Sequence, residues 1–155
     1  MFVIKDEGQN LLVIGAPEHD ADAYHLSGFL APDAVICLRV AGKRYLAVSS
    51  LEYGRAAKSA TVDELLSHEE LGIISLGREL KSGARAYAAA VANLLDELGA
   101  ANSPLVVPAH FGVVYADELR ARGITLTPDG ELFDGLRRVK TEEEISHIQK
   151  TQDSV

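Results

Sequence analysis

The chain has 155 residues, 47% of them hydrophobic and 25% charged, which suits one compact domain with a buried core. A formal net charge of −8 and a pI near 5.1 argue against a nucleic-acid backbone or an anionic membrane surface as partner. With no Trp, the core is expected to be built from Ala, Val, Leu and Ile.

Leu11 to Gly15 (LLVIG) reads as a short buried strand closed by Gly-Ala-Pro. Ala34 to Val40 and Arg44 to Val48 read as a hairpin turning at Ala41-Gly42-Lys43. Ser49 with Glu52 and Thr61 with Glu64 match the capping-box pattern, the second opening a predicted helix over TVDELLSHEEL. Gly72 to Leu76 is a strand candidate. From Ser82 onward Ala84, Tyr87, Ala88, Val91, Leu95 and Leu98 make one apolar helical stripe, stopped by Gly99. Leu105 to Val107 and Ile124 to Leu126 complete six strand candidates around a helix over Tyr115 to Arg122, with Gly123 placed to end it. The order predicts an α/β fold: a mixed, roughly six-stranded sheet flanked by helices on both faces, with an antiparallel hairpin near the front and a parallel region after it.

The segment Leu136 to Ile148 (LRRVKTEEEISHI) carries a firm helix start. Thr141 is a good N-cap, Glu144 completes the capping box, and Glu142 and Glu143 suit the helix dipole. Only Ile145 and Ile148 offer an apolar face before the polar end, so the expected packing partner lies beyond residue 155.

Side chains able to do chemistry are scattered. His19-Asp20-Ala21-Asp22-Ala23-Tyr24-His25 is the densest metal-capable segment, and a site built on His19, Asp22 and His25 is weighed against solvated acids capping a short helical turn after Pro17. Ser75 lacks the first Gly of a nucleophile elbow and reads as a buried strand-end serine. Neither phosphate-binding glycine pattern occurs. The pairs Asp63-Glu64, Asp96-Glu97 and Asp117-Glu118 fall on predicted helices, where neighbours do not face one another, and read as solvated faces. His110 follows a strand in a loop, a place that suits a binding residue as well as a surface histidine. Cys37 reads as a small buried hydrophobe. A single cysteine, no signal-peptide pattern and no apolar run near the ~20 residues of a membrane span point to a soluble cytoplasmic protein. The residues alone assemble no active site: no catalytic and no metal-binding set is assigned to this chain.

Three pieces of sequence carry a resemblance. Tyr24-His25-Leu26-Ser27-Gly28-Phe29 resembles the Y-L-[ST]-G-F loop of creatinase/prolidase N-terminal domains, and Val48 to Arg55 (VSSLEYGR) is similar to the stretch that follows there. Leu136 to Ile145 resembles the junction leading from that domain into the pita-bread metallopeptidase domain, with Arg137, Lys140, Thr141, Glu144 and Ile145 on the matching positions. The family's members often begin with a helix before the first strand, whereas here residues 1–10 lead almost directly into LLVIG. The resemblance implies an N-terminal domain over 1–136 and a junction over 137–155. It implies a parent enzyme of the Xaa-Pro aminopeptidase or dipeptidase type that uses two divalent metal ions. Their ligands, two Asp, one His and two Glu, would lie in a C-terminal catalytic domain, so no cofactor is expected on this chain and it is expected to be inactive by itself. Partners implied are that catalytic domain and a second subunit of a homodimer, with peptide substrate only in the full-length protein, and no nucleic acid or membrane. Tyr24, Ser27, Gly28 and Phe29 are then structural or shape the entrance. The alternative is a stand-alone α/β small-molecule-binding module with its pocket at the carboxyl ends of the strands, near loop residues such as His110.

Overall fold

The computed structural model describes residues 8–138. The elements are β1 (Asn10–Gly15), α1 (Ala21–Ser27), β2 (Val35–Val40), β3 (Lys43–Val48), α2 (Ser50–Ser59), β4 (Glu64–Ser67), α3 (Ile73–Leu80), α4 (Gly83–Glu97), β5 (Leu105–Val107), α5 (Val113–Ala121), β6 (Leu126–Pro128) and a last helix, α6, over 130–138. Six strands form one sheet in the order β4-β3-β2-β1-β5-β6. β2 runs antiparallel to both β1 and β3, while β4, β5 and β6 join parallel to their neighbours. Five strands therefore point one way and β2 the other, which places the carboxyl ends of β1, β3, β4, β5 and β6 along one edge.

Strand side chains alternate between faces with period two. Leu12, Ile14, Ile36 and Leu38 face α3, α4 and α5, where Ala86, Ala88, Ala90, Val91 and Leu95 are fully buried. Leu11, Val13, Cys37 and Leu46 face the other way, against Ala23 and Leu26 of α1, Ala56 of α2, and Phe133 and Leu136 of α6. The helices cover both faces of a mixed sheet, the α/β architecture read from the sequence. The β2–β3 loop is only two residues: Ala41 (φ 51) and Gly42 (φ 79) both take left-handed backbone, the hairpin turn whose twist matches the strands, and Lys43 already pairs with Val40.

Two stretches differ from the sequence reading by exchanging type. Glu64–Ser67 is the edge strand β4, not a helix opened by Thr61. Lateral bonds decide it: Asp63 N–H donates to Arg44 O, Asp63 Oδ2 accepts from Arg44 N at 2.7 Å, and Glu64 pairs with Lys43 at 2.7 Å. Conversely, Ile73–Leu80 is a helix and Ser75 sits exposed on it, not buried at a strand end. The Ser49–Glu52 pair also differs. Ser49 is the N-cap of α2 but makes no side-chain cap bond, and the Glu52 carboxylate turns to Arg55 Nε at 2.9 Å. Glu118 of α5 is buried, not solvated, and takes Arg85 at 2.9 Å and Arg122 at 3.1 Å. Together the two cations hold its carboxyl below the ordinary carboxylate range, Arg85 contributing most.

Candidate functional site

The carboxyl edge of the sheet gathers the loops after β1, β3, β4 and β5, and two groups of polar side chains sit there. Over β1 and β5 lie Asp20, Asp22, His110 and Arg137. Asp20 is the N-cap of α1: its Oδ1 accepts from the N–H groups of Asp22 at 3.0 Å and Ala23 at 3.2 Å. Its other oxygen faces His110 Nε2 at 3.1 Å, an approach that brings together residues 90 positions apart. The close packing needs Gly15, since a Cβ there would lie 2.4 Å from Asp20 Oδ2.

Asp22, only 2% exposed, sits deeper. Arg137 of α6 reaches it with Nη1 at 2.5 Å from Oδ1 and also pairs with Asp134, while His110 Nδ1 is 3.9 Å from Oδ2. Burial pushes the Asp22 carboxyl above its ordinary range; the Arg137 charge and hydrogen bond pull against that, and Asp20 adds to the rise. The reading of Asp22 as a solvated cap is thus corrected: it is a buried acid holding the last described helix onto the first.

Among the described residues, the metal-capable side chains that converge are Asp20, Asp22 and His110, not the His19, Asp22 and His25 considered from the sequence. They do not fit a resident metal centre. Arg137 already supplies a cation to Asp22, Asp20 spends one oxygen on the helix cap, and among the described residues the group that converges holds no Glu. As arranged, the cluster is an ion-pair network that orients α6.

The Tyr24–Phe29 loop is built for chain reversal. Ser27 Oγ donates to Ala23 O at 2.7 Å and accepts from Phe29 N–H at 3.1 Å. Gly28 ends α1 with φ 63, and a Cβ there would meet Thr61 Oγ1 at 2.3 Å. Phe29 is buried under the Arg55 guanidinium, 4.4 Å from its ring centroid. Tyr24, at the start of the loop, is 42% exposed. Of the junction residues Arg137 is the one described; Lys140, Thr141, Glu144 and Ile145, with the helix start at Thr141, lie outside the described residues. Cys37 is buried, donates to Ala23 O at 3.6 Å, and has its thiol pushed up to about 12, chiefly by burial, so it is unreactive at neutral pH.

The second group lies over β2, β3 and β4, around a cavity of about 300 Å³. Its lining includes Asp33, Glu52, His68 and Tyr87, with Val35 and Val48 beneath. His110 is not among the residues lining this cavity. The sequence reading singled out neither His68 nor Tyr87 for a site. His68 follows β4, a strand misread as helix, and Tyr87 was absorbed into the apolar stripe of α4. Exposed large apolar side chains also collect at helix starts on this edge: Leu51 of α2, Ile74 of α3, and Val113 and Val114 of α5.

No family model matches the chain, and no curated protein matches it. Solved structures do. The X-Pro aminopeptidase from Thermotoga maritima MSB8 superposes with a TM-score of 0.67 at 16% identity, over 92% of this chain and 36% of its own. The prolidase from Pyrococcus horikoshii OT3 gives 0.59 at 18% identity, over 94% of this chain and 35% of its own. The N-terminal domain of cytoplasmic peptidase PepQ from Mycobacterium tuberculosis H37Rv gives 0.54 at 18% identity, over 83% of this chain and 86% of its own. The chain therefore has the fold found in prolidases and X-Pro aminopeptidases, and it spans about a third of the length of the two longer ones. Among the described residues no helix is long and apolar enough to cross a membrane.

Proposed function

We propose that the chain is the N-terminal domain of a creatinase/prolidase-type metallopeptidase of Xaa-Pro specificity, and that it works by assembly and by shaping the substrate entrance. In this reading 1–136 is the domain and 137–155 the junction toward a catalytic domain, which would carry the two divalent metals and their ligands. The protein would be cytoplasmic and dimeric. The observation that carries the reading is the fold match to an isolated N-terminal peptidase domain of nearly the same extent. The order of the Tyr24–Phe29 and Leu136–Ile145 motifs adds to it. The chain's own chemistry is compatible with a positioning role, because Arg137 on Asp22 ties the end of α6 to α1.

The test is an assay of Xaa-Pro peptide hydrolysis on the 155-residue chain and on a chain continued through the downstream coding sequence, each with and without chelator. Activity confined to the longer chain and abolished by chelation is the expected result; hydrolysis by the 155-residue chain alone would overturn the division of labour. Sedimentation of both chains checks the assembly role, which a longer chain that stays monomeric at micromolar concentration would contradict.

A further inference from the structure

The cavity over β2, β3 and β4 has a chemical bias independent of the peptidase reading. Its polar wall carries the carboxylates of Asp33 and Glu52, the His68 ring and the hydroxyls of Ser49 and Tyr87. His68 Nε2 lies 3.2 Å from Ala47 O, and a carbonyl can only accept, so the proton is on Nε2 and Nδ1 keeps a lone pair. Burial lowers the His68 pKa and keeps the ring neutral. Asp33 is exposed on the rim and makes no ion pair among the described residues, and Glu52 brings a second carboxylate shared with Arg55. Tyr87 presents an aromatic ring, packed edge-on to His68 at 5.1 Å between centroids.

The start of α2 lies beside this cavity and by its dipole would attract an anion. That preference is met outside the cavity by Glu69, whose carboxyl is held below its ordinary range by hydrogen bonds from its own backbone N–H and from Ser50. What lines the cavity is the carboxylate charge of Asp33 and Glu52, two hydroxyls and the rings of His68 and Tyr87, with the apolar side chains of Val35 and Val48 beside them. With carboxylates and no lysine or arginine among the lining residues, such a wall disfavours an anion and matches a compact donor that is also a cation. A volume of about 300 Å³ sits at the lower end of the range for small-molecule sites, roughly 300–1,000 Å³.

We propose that this cavity binds an alkylammonium group, with Asp33, Glu52 and His68 taking the ammonium and Val35, Val48 and Tyr87 the alkyl part. The group can arrive on a free small amine or at the tip of a lysine-type side chain, and the two sources are separable.

The test is NMR of the 155-residue chain, following the His68 and Tyr87 ring signals during titration with butylamine hydrochloride, 1-butanol and Nα-acetyl-L-lysinamide at neutral pH. Saturable shifts with butylammonium and none with butanol are expected. Asp33→Asn should weaken binding about threefold, and Asp33→Asn with Glu52→Gln about tenfold. Binding of acetyl-lysinamide as well would mark the site as a lysine-side-chain acceptor, and its exclusion would mark a closed site for a free amine. If the double variant fails to fold, Asp33→Asn decides alone, since that side chain is exposed and without an ion pair among the described residues. The proposal is overturned by no saturation up to about 100 mM butylamine, by equal shifts with butanol, or by unchanged affinity in Asp33→Asn.

Discussion

The two halves of the carboxyl edge are both acidic, yet the chain's own cations serve them differently: in the second half Arg55 takes Glu52 and leaves Asp33 without an ion pair among the described residues. Over β1 and β5, Asp22 is buried and Arg137 comes from 115 residues away to meet it. Over β2 to β4, Asp33 stands at the mouth of a cavity with no such partner, and the neighbouring histidine is held neutral. Burial decides the difference. A carboxylate taken out of water needs a partner inside the protein, whereas one on the rim of a cavity is served by solvent or by a ligand. The first half is therefore structural and the second is open to binding.

The comparison breaks most severely at Arg137. Arg137→Ala should leave Asp22 uncompensated and cost about 2 kcal/mol in denaturant unfolding, less than a fully buried pair because the arginine is partly exposed. Adding Asp22→Asn should return a large part of that loss; additive losses in the double variant would mean that the pair does not hold α6. Gly15→Ala should cost about 1 kcal/mol by displacing Asp20 from its cap, with His110 shifting in NMR and the His68 cavity unaffected.

The smallest effect is the sharpest, because the two halves respond to acid with opposite sign. The His68 pKa is depressed in the fold, so its contribution is present above about 6.5 and is lost as pH falls through the folded value. The Asp22 pKa is raised, so its contribution is complete below about 3.8 and is lost as pH rises through the folded value. Carbon-13 titration should place the His68 midpoint below 6.5 and the Asp22 midpoint above 3.8. Both midpoints moving the same way would erase the distinction.

Much of the fold was readable because its signals are local. The nearly unbroken apolar runs LLVIG and AVICLRV mark strands buried on two faces, and Ala41-Gly42 marks the hairpin. The three- and four-residue spacing after Ser82 marks α4. The misreadings fall where local propensity meets tertiary bonding. Thr61 to Leu71 looks helical until Arg44 and Lys43 pin Asp63 and Glu64 beside β3, and Ile73-Ile74-Ser75-Leu76 is too short an apolar run to declare its type. α6 was missed although Asp129 caps it, its Oδ1 accepting from Leu132 N–H at 3.0 Å, and Phe133 and Leu136 share a helical face. The candidate sites were half readable. Asp20 and Asp22 stood out as a dense acidic segment, but nothing in their spacing announces His110 or Arg137, which chain topology alone delivers.

The most direct test of the central claim is to read the coding sequence downstream of Val155. Roughly 200 further in-frame residues that carry two Asp, one His and two Glu as a di-metal ligand set are the result expected for a metallopeptidase entrance domain. A stop codon directly after Val155 would contradict it and leave the cavity over β2 to β4 as the chain's own working site.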